Sequence, residues 1–276
     1  MATTLATTID ALASASSLPG NTRAVVAQLL DALEAGTVRA ATRDAEGHWT
    51  AVSWVKRGIL LAFRVGVLAI EQVGPFAFID KDTLPARTLT LADGVRIVAG
   101  GSAVRRGSHL APGVICVPPM YVNVGAWVGR DSLVDSHALV GSCAQIGDRV
   151  HLSAAAQIGG VLEPVNAAPV VIEDDVIVGG NCGVYEGTVV RAGAVLGAGV
   201  ILTRSTPVYD LVHERVYRGT AAEPLEIPAG AVVVPGARQV SRGWGLEQGL
   251  ALQTPVIVKY RDDKTDAAVA LEEWLR

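Results

Sequence analysis

Hydrophobic positions along the middle of the chain recur every six residues. From Val104 the steps land on Leu110, Cys116, Val122, Val128, Val134, Val140, Ile146, Leu152 and Ile158. They resume at Ile172 with Val178, Val184, Val190, Leu196 and Leu202. Four residues after each of these the side chain is usually small or apolar, as at Ser108, Val114, Ala126, Ser132, Ala138, Ala144, Val150 and Ala156. Glycine often follows the aliphatic directly, as at Gly129, Gly141, Gly147, Gly159, Gly179 and Gly197. A period of six matches neither the helical 3.6 nor the strand alternation of 2. It predicts a mainly β, parallel β-helix of hexapeptide repeats: three flat sides close one coil, the aliphatic points inward and the small residue turns the corner. The strands of an ordinary β-sandwich would drift out of this phase after a few repeats.

The step from Ile158 to Ile172 exceeds a multiple of six by two, so residues 159–170, with Pro164 and Pro169, are expected to loop out from a corner. A second polar excursion spans Tyr209 to Glu226, and Ile227 and Val233 extend the prism by a partial coil. Three regions follow: 1–94 as a small, mostly helical α/β domain, 95–240 as the β-helix, and 241–276 as an extension. In the first, Asn21 caps a helix through Val25, Leu29, Leu30 and Leu33 that stops at Gly36, and Trp49 to Val67 reads as more strand-like. In the last, Pro255 to Tyr260 reads as a strand and Asp266 to Arg276 as a short helix capping the solenoid.

Composition narrows the function classes. Half of the 276 residues are hydrophobic but only 5 % are aromatic, and 30 are glycine, which suits short strands and tight corners. A net charge of −4 without a basic stripe argues against a nucleic-acid partner. Cys116, Cys143 and Cys182 are odd in number and lack CxxC spacing, so neither a disulfide framework nor a zinc site is expected, and a reducing cytoplasm is the natural setting. The N-terminus lacks the pattern of a signal peptide, and the apolar run 58–63 is too short to span a bilayer. A soluble protein without membrane partners is expected.

Several strings are more specific than the repeat: PPMYVNVGAWV (118–128), VDSHALVGSCAQIG (134–147), HLSAAAQIGGVLEP (151–164), VIEDDVIVGG (171–180), YEG (185–187), AGAVVVPG (229–236) and VIVKYRDDKT (256–265). LLDALEAGTVRAA (29–41) and HWTAVSWVKRGILLAFR (48–64) join them. In these strings the chain resembles the tetrahydrodipicolinate N-succinyltransferases from about Leu29 to its C-terminus. The resemblance implies a left-handed coil, against the usual right-handed crossover. It also implies a homotrimer with active sites between subunits, succinyl-CoA as cosubstrate with no permanently bound cofactor, and a step toward diaminopimelate and lysine.

Acyl transfer to an amine of a dicarboxylate needs a base, a polarised thioester and anchors for the carboxylates. Asp135 follows inward Val134; the resemblance makes it the contact to the substrate amine and the base. Arg96 matches the family's substrate-carboxylate arginine, and Arg64 is a second candidate for that role, a guanidinium being suited to bidentate carboxylate contact. The resemblance places the CoA arm along the later coils, near Gly197, Ala198, Thr203, Arg204 and Lys259. One departure stands out. Where much of the family carries Arg-Ser-Glu, this chain has Asn181, Cys182 and Gly183, although Glu186-Gly187 is kept. Glu186 is therefore the candidate second carboxylate. Phase counting puts Asp135 and Glu186 about 2.7 coils apart, roughly 13 Å along the axis, so they meet only across a subunit interface. His137, His151 and Cys143 are weaker candidates: the histidines suit corner packing, and Cys143 shows no positive neighbour to favour a thiolate. Two alternatives stay open, an acetyl-CoA-dependent enzyme on the same acceptor and a non-catalytic hexapeptide scaffold. A carbonic anhydrase-like metal site fails because His109, His137 and His151 fall on unsuitable phases; no metal is expected.

Overall fold

A computed structural model describes residues 2–220 and 223–261. From residue 96 onward the chain winds into a left-handed triangular prism whose sides are three parallel sheets. Each hexapeptide contributes one rung of two residues, the second pointing inward. The first face carries Val104, Val122, Val140, Ile158, Val184 and Leu202 inward. The second carries Leu110, Val128, Ile146, Ile172, Val190 and Ile227. The third carries Cys116, Val134, Leu152, Val178, Leu196 and Val233, after a first rung at Arg96–Ile97. These side chains are almost wholly buried in one continuous core. Full burial of one such Val, Ile or Leu contributes about 1.5–3 kcal/mol, so the column of repeats is the main source of stability.

The corners explain the glycine pattern. The residue three positions after the inward one takes a left-handed backbone; it is Gly107, Gly113 or Gly125 in some corners but Asp131, His137, Cys143, Arg149 or Ala155 in others. The glycine that directly follows the aliphatic answers a different demand. A Cβ on Gly129 would lie 2.4 Å from the carbonyl oxygen of Gly147 in the next coil, so the stacked backbones leave no room for a side chain. The excursion after Ile158 is larger than the two-residue slip implied. Gln157–Ile158 pairs with Gly183–Val184 on the first face and Val171–Ile172 with Gln145–Ile146 on the second, so one hexapeptide step spans fourteen residues and eight of them are looped out.

Ahead of the prism, α1 (Ala2–Ser14), α2 (Thr22–Glu34) and α3 (Ser53–Val65) pack around Ile9, Leu29, Leu30, Leu33, Val55 and Ile59. Between α2 and α3 lies an antiparallel pair, β1 (Ala41–Arg43) and β2 (Trp49–Ala51). Two expectations need correction. The stretch 53–65 is helical rather than strand-like, because Val55, Ile59 and Ala62 fall on one helical face that α1 and α2 cover. Asn21 holds the N-cap position of α2, but its side chain makes no capping bond; its carbonyl accepts the amides of Ala24 and Val25. The helical unit shares its core with the prism, since Val124 and Cys143 of the corner between the first and second faces pack into it.

A second hairpin, β3 (Leu68–Val73) and β4 (Phe76–Lys81), stands off with Leu68, Ile70, Phe76 and Ile79 each about two-thirds exposed or more. At the other end the strand Ala231–Gln239 begins as the last rung of the third face and then leaves it. It pairs antiparallel with Ala251–Tyr260, with a bulge at Val232/Val233. The excursion after the last full coil contains the antiparallel strands Val208–Asp210 and Arg215–Tyr217. The expected terminal helix 266–276 lies outside the described residues.

Candidate active site

The corner between the third and first faces carries, rung by rung, Val117, Asp135, Ser153, Gly179 and Gly197, each directly after an inward residue. Asp135 is half-buried there, and its Oδ1 accepts the amide of Ser136 at 2.7 Å. Its second oxygen has no partner among the described residues, which leaves an anionic acceptor facing outward from a rigid backbone. Arg96 stands exposed at the foot of the third face, on the strand paired through Ile115 to Leu133. Two rungs, roughly 10 Å at strand spacing, separate Arg96 from the level of Asp135. The guanidinium makes no ion pair among the described residues. Asp135 and Arg96, the candidate base and the candidate carboxylate anchor, thus share one side of the prism.

Gly197 and Ala198 lie on the corner of Asp135, three rungs higher, or ~14 Å. Between them the corner bears only Ser153, Ala154, Ala155, Gly179 and Gly180 alongside Ala156, Asn181 and Cys182, so a slender chain meets mostly backbone there.

Other candidates stand elsewhere. Glu186 is on the corner between the first and second faces, in a left-handed conformation, and its Oε2 accepts the amide of Arg204 at 3.1 Å. Asp135 follows a strand of the third face and Glu186 a strand of the first, seven hexapeptide strands later, so they lie a little over two coils apart along the axis rather than 2.7. Glu186, Thr203 and Arg204 border a cavity of 630 Å³ beneath the 159–170 loop, with Tyr185 and Glu163. The Thr203 hydroxyl is engaged by Thr206 at 2.8 Å. Lys259 is on the C-terminal strand, opposite Val232. Arg64 ends α3 and donates to the carbonyl of Ala15 at 3.3 Å; within one chain it belongs to the helical unit, not to the Asp135 corner.

The cysteines are buried and unpaired. Burial pushes the thiols of Cys116 and Cys143 up to about 12 and also raises that of Cys182, so none is a ready nucleophile. Cys143 does have a positive neighbour, which the sequence concealed. Lys56 of α3 is buried, its own pKa lowered by that burial, and its field opposes the rise at Cys143 without overcoming it. The Lys56 amine donates to the carbonyl of Ala167 at 2.5 Å, tying α3 to the looped-out segment. Among the described residues no three His, Cys, Asp or Glu side chains group as metal ligands. His137 turns its corner in the left-handed region, and His109 stacks on Trp127 of the second face.

The placement of Tyr185 is not evident from the sequence, although the residue belongs to the YEG run (185–187). Its ring folds back across the first face: a Cβ on Gly183 would be 2.5 Å from Tyr185 Cε2, and a Cβ on Gly159 would be 2.8 Å from Cδ1. Two glycines, one coil apart, make the bed on which the ring lies.

Comparison with known proteins identifies the family. Residues 6–65 match the family model described as "Tetrahydrodipicolinate N-succinyltransferase N-terminal", and residues 169–204 match "Hexapeptide repeat of succinyl-transferase". The 2,3,4,5-tetrahydropyridine-2,6-dicarboxylate N-succinyltransferase of Polynucleobacter asymbioticus is 41 % identical over 95 % of this chain and 93 % of its own length. The enzymes of that name from Nitrobacter hamburgensis and Chelativorans sp. are 40 % and 38 % identical, each over 93 % of this chain, covering 91 % and 90 % of themselves. With that identity sustained over nearly the whole length, the chain belongs to the tetrahydrodipicolinate N-succinyltransferase family.

Proposed function

We propose that the protein transfers the succinyl group of succinyl-CoA to the amine of ring-opened tetrahydrodipicolinate, in the succinylase branch of diaminopimelate and lysine biosynthesis. The observation that carries this reading is identity of about 40 % with enzymes of that name across 93 % of the chain. The Asp135 corner supplies the chemistry. Arg96 holds a substrate carboxylate through paired N–H donors, which fixes the amine relative to the prism. Asp135 takes the proton from the amine as its lone pair attacks the thioester carbonyl. The C–N bond forms, the C–S bond breaks, and the CoA thiolate leaves and is protonated. The pantetheine arm follows the small-residue corner down from Gly197 and Ala198 and bonds mainly to backbone. Arg204 and Lys259 serve the phosphates, and Thr203 lies beside them.

The working form is a homotrimer. Two features support this: Asp135 and Glu186 stand on different corners, so they cooperate only between copies, and the apolar β3–β4 hairpin lies bare in a single chain. No helix among the described residues is long and apolar enough to cross a membrane. We place the enzyme in the cytoplasm, where its free thiols stay reduced.

The test is CoA release by the purified protein with tetrahydrodipicolinate, comparing succinyl-CoA with acetyl-CoA, beside the mass in solution. Faster release from succinyl-CoA by a species of three chains is expected. Preference for acetyl-CoA would reassign the donor and point to the altered segment 181–183. No turnover with either would sink the catalytic reading.

A further inference from the structure

The second face of the prism and the β1–β2 hairpin enclose a cavity of 540 Å³ on the opposite side from the Asp135 corner. Trp127 forms part of its floor, stacked on His109 with ring centroids 3.9 Å apart. The guanidinium of Arg39 lies 4.0 Å from the Trp127 ring and 5.6 Å from that of Trp49, which arrives from β2. Arg39 uses Nε to reach Gln145 Oε1 at 3.0 Å. Its two Nη nitrogens have no acceptor among the described residues, and no carboxylate lies within ion-pair distance. They are not sealed off either, since the only buried unpartnered side-chain nitrogen or oxygen among the described residues is Arg238 Nε. Burial brings the Arg39 guanidinium down to about 10, against a weaker upward pull from Asp148 and Asp174. Two parallel free donors on a partly dehydrated, aromatic-backed cation match a carboxylate better than they match water.

The rim of the cavity supplies the opposite charge. Asp148 Oδ1 accepts the amide of Arg130 at 2.8 Å, and Asp174 Oδ1 accepts the amide of Asp148 at 2.9 Å. Each leaves its second oxygen without a side-chain partner among the described residues. Glu173, on the same wall, is already engaged by Trp49, Arg191 and the Ala192 amide. The unsatisfied groups along the cavity are therefore the Arg39 guanidinium on the floor, the exposed Arg130 guanidinium, and one carboxylate oxygen each of Asp148 and Asp174 on the rim, across a space large enough for a small molecule.

We propose that this cavity binds a small free amino acid. Its carboxylate pairs with Arg39, its ammonium faces Asp148 and Asp174, and its side chain lies against Trp49. The proposal is independent of the acyl-transfer reading. Because the walls come from both the N-terminal unit and the prism, the ligand clamps one onto the other.

The full-length protein is titrated with glycine, L-lysine and L-glutamate, following tryptophan fluorescence and heat, with acetate and methylamine as single-charge probes. Saturable binding of at least one amino acid is expected below about 10 mM, with acetate and methylamine weaker by about tenfold or more, one charged contact being lost in each. Arg39→Gln is expected to abolish binding but also loosens the contact with Gln145. Asp148→Asn is therefore the sharper variant: its side-chain oxygen still accepts the Arg130 amide, the melting temperature stays as in the parent, and affinity falls about tenfold. Absence of saturable binding with all three amino acids overturns the proposal. Acetate binding as tightly as the amino acids, or an Asp148→Asn variant that binds like the parent, overturns it too.

Discussion

The ring of Tyr185 occupies the space that a side chain at position 183 would need, with Gly183 lying directly beneath Tyr185 Cε2. The two positions are coupled, because a side chain at 183 would meet the ring. Gly183→Glu alone is expected to destabilise by about 1–3 kcal/mol through overpacking. That lowers the melting temperature by several degrees. Gly183→Glu with Tyr185→Val removes the obstruction and is expected to recover most of the loss. Thermal melts of the two variants decide the matter: equal losses would show that the ring is not what excludes a larger residue.

Asp135 is predicted to be the base. Asp135→Asn keeps the acceptor oxygen that binds the Ser136 amide, so the corner folds as before. General-base catalysis is worth typically ~10²–10⁴-fold. Turnover should fall by that range while the oligomeric state and the melting temperature of the parent are retained. An Asn variant with full CoA release would remove Asp135 from the mechanism.

Arg96 is predicted to anchor a substrate carboxylate. Because its guanidinium makes no ion pair among the described residues, its loss has little structural consequence. Arg96→Lys keeps the charge but not the paired donors, and it should weaken kcat/KM for the dicarboxylate about tenfold or more. The KM for succinyl-CoA should be nearly unchanged. A variant that loses CoA affinity instead would place Arg96 on the other substrate.

The prism was legible in the sequence because one residue in six must be aliphatic and must stay in phase for six coils. The excursion after Ile158 showed up as a phase slip, but a slip counts only modulo six, so it read as two residues where eight are looped out. Asp135 stood out for the related reason that it sits where most repeats carry glycine or a small residue, while its role came from the resemblance alone. Helix α3 was not, because the run from Gly58 to Phe63 is apolar almost throughout, and its helical face emerges only once α1 and α2 are there to cover it. Long-range contacts were equally hidden. Arg39 meets Gln145 across 106 positions and Trp49 meets Glu173 across 124, so no local pattern reports them. The fold-back of Tyr185 depends on side-chain direction, which the repeat does not encode.

Asp210 is predicted to set the acid stability of the C-terminal end. Its buried carboxylate accepts the Tyr260 hydroxyl at 2.7 Å and His213 Nδ1 at 3.0 Å on one oxygen, and the amides of Val212 and His213 on the other. Burial alone would raise its pKa; the donors outweigh it and bring it from 3.8 to about 2. The folded state therefore holds Asp210 ionised at a pH where the unfolded chain has taken up a proton. The stabilisation is complete above the unfolded value near 4 and is lost as pH falls toward 2, amounting to about 2 kcal/mol at neutral pH. Asp210→Asn turns an acceptor oxygen into a donor facing the Tyr260 hydroxyl and the His213 ring, which should cost about 1–3 kcal/mol at pH 7. Between pH 4 and 2 the variant should lose less further stability than the parent, so the two melting curves converge on acidification. Parallel curves across that interval would mean that another carboxylate governs the acid transition.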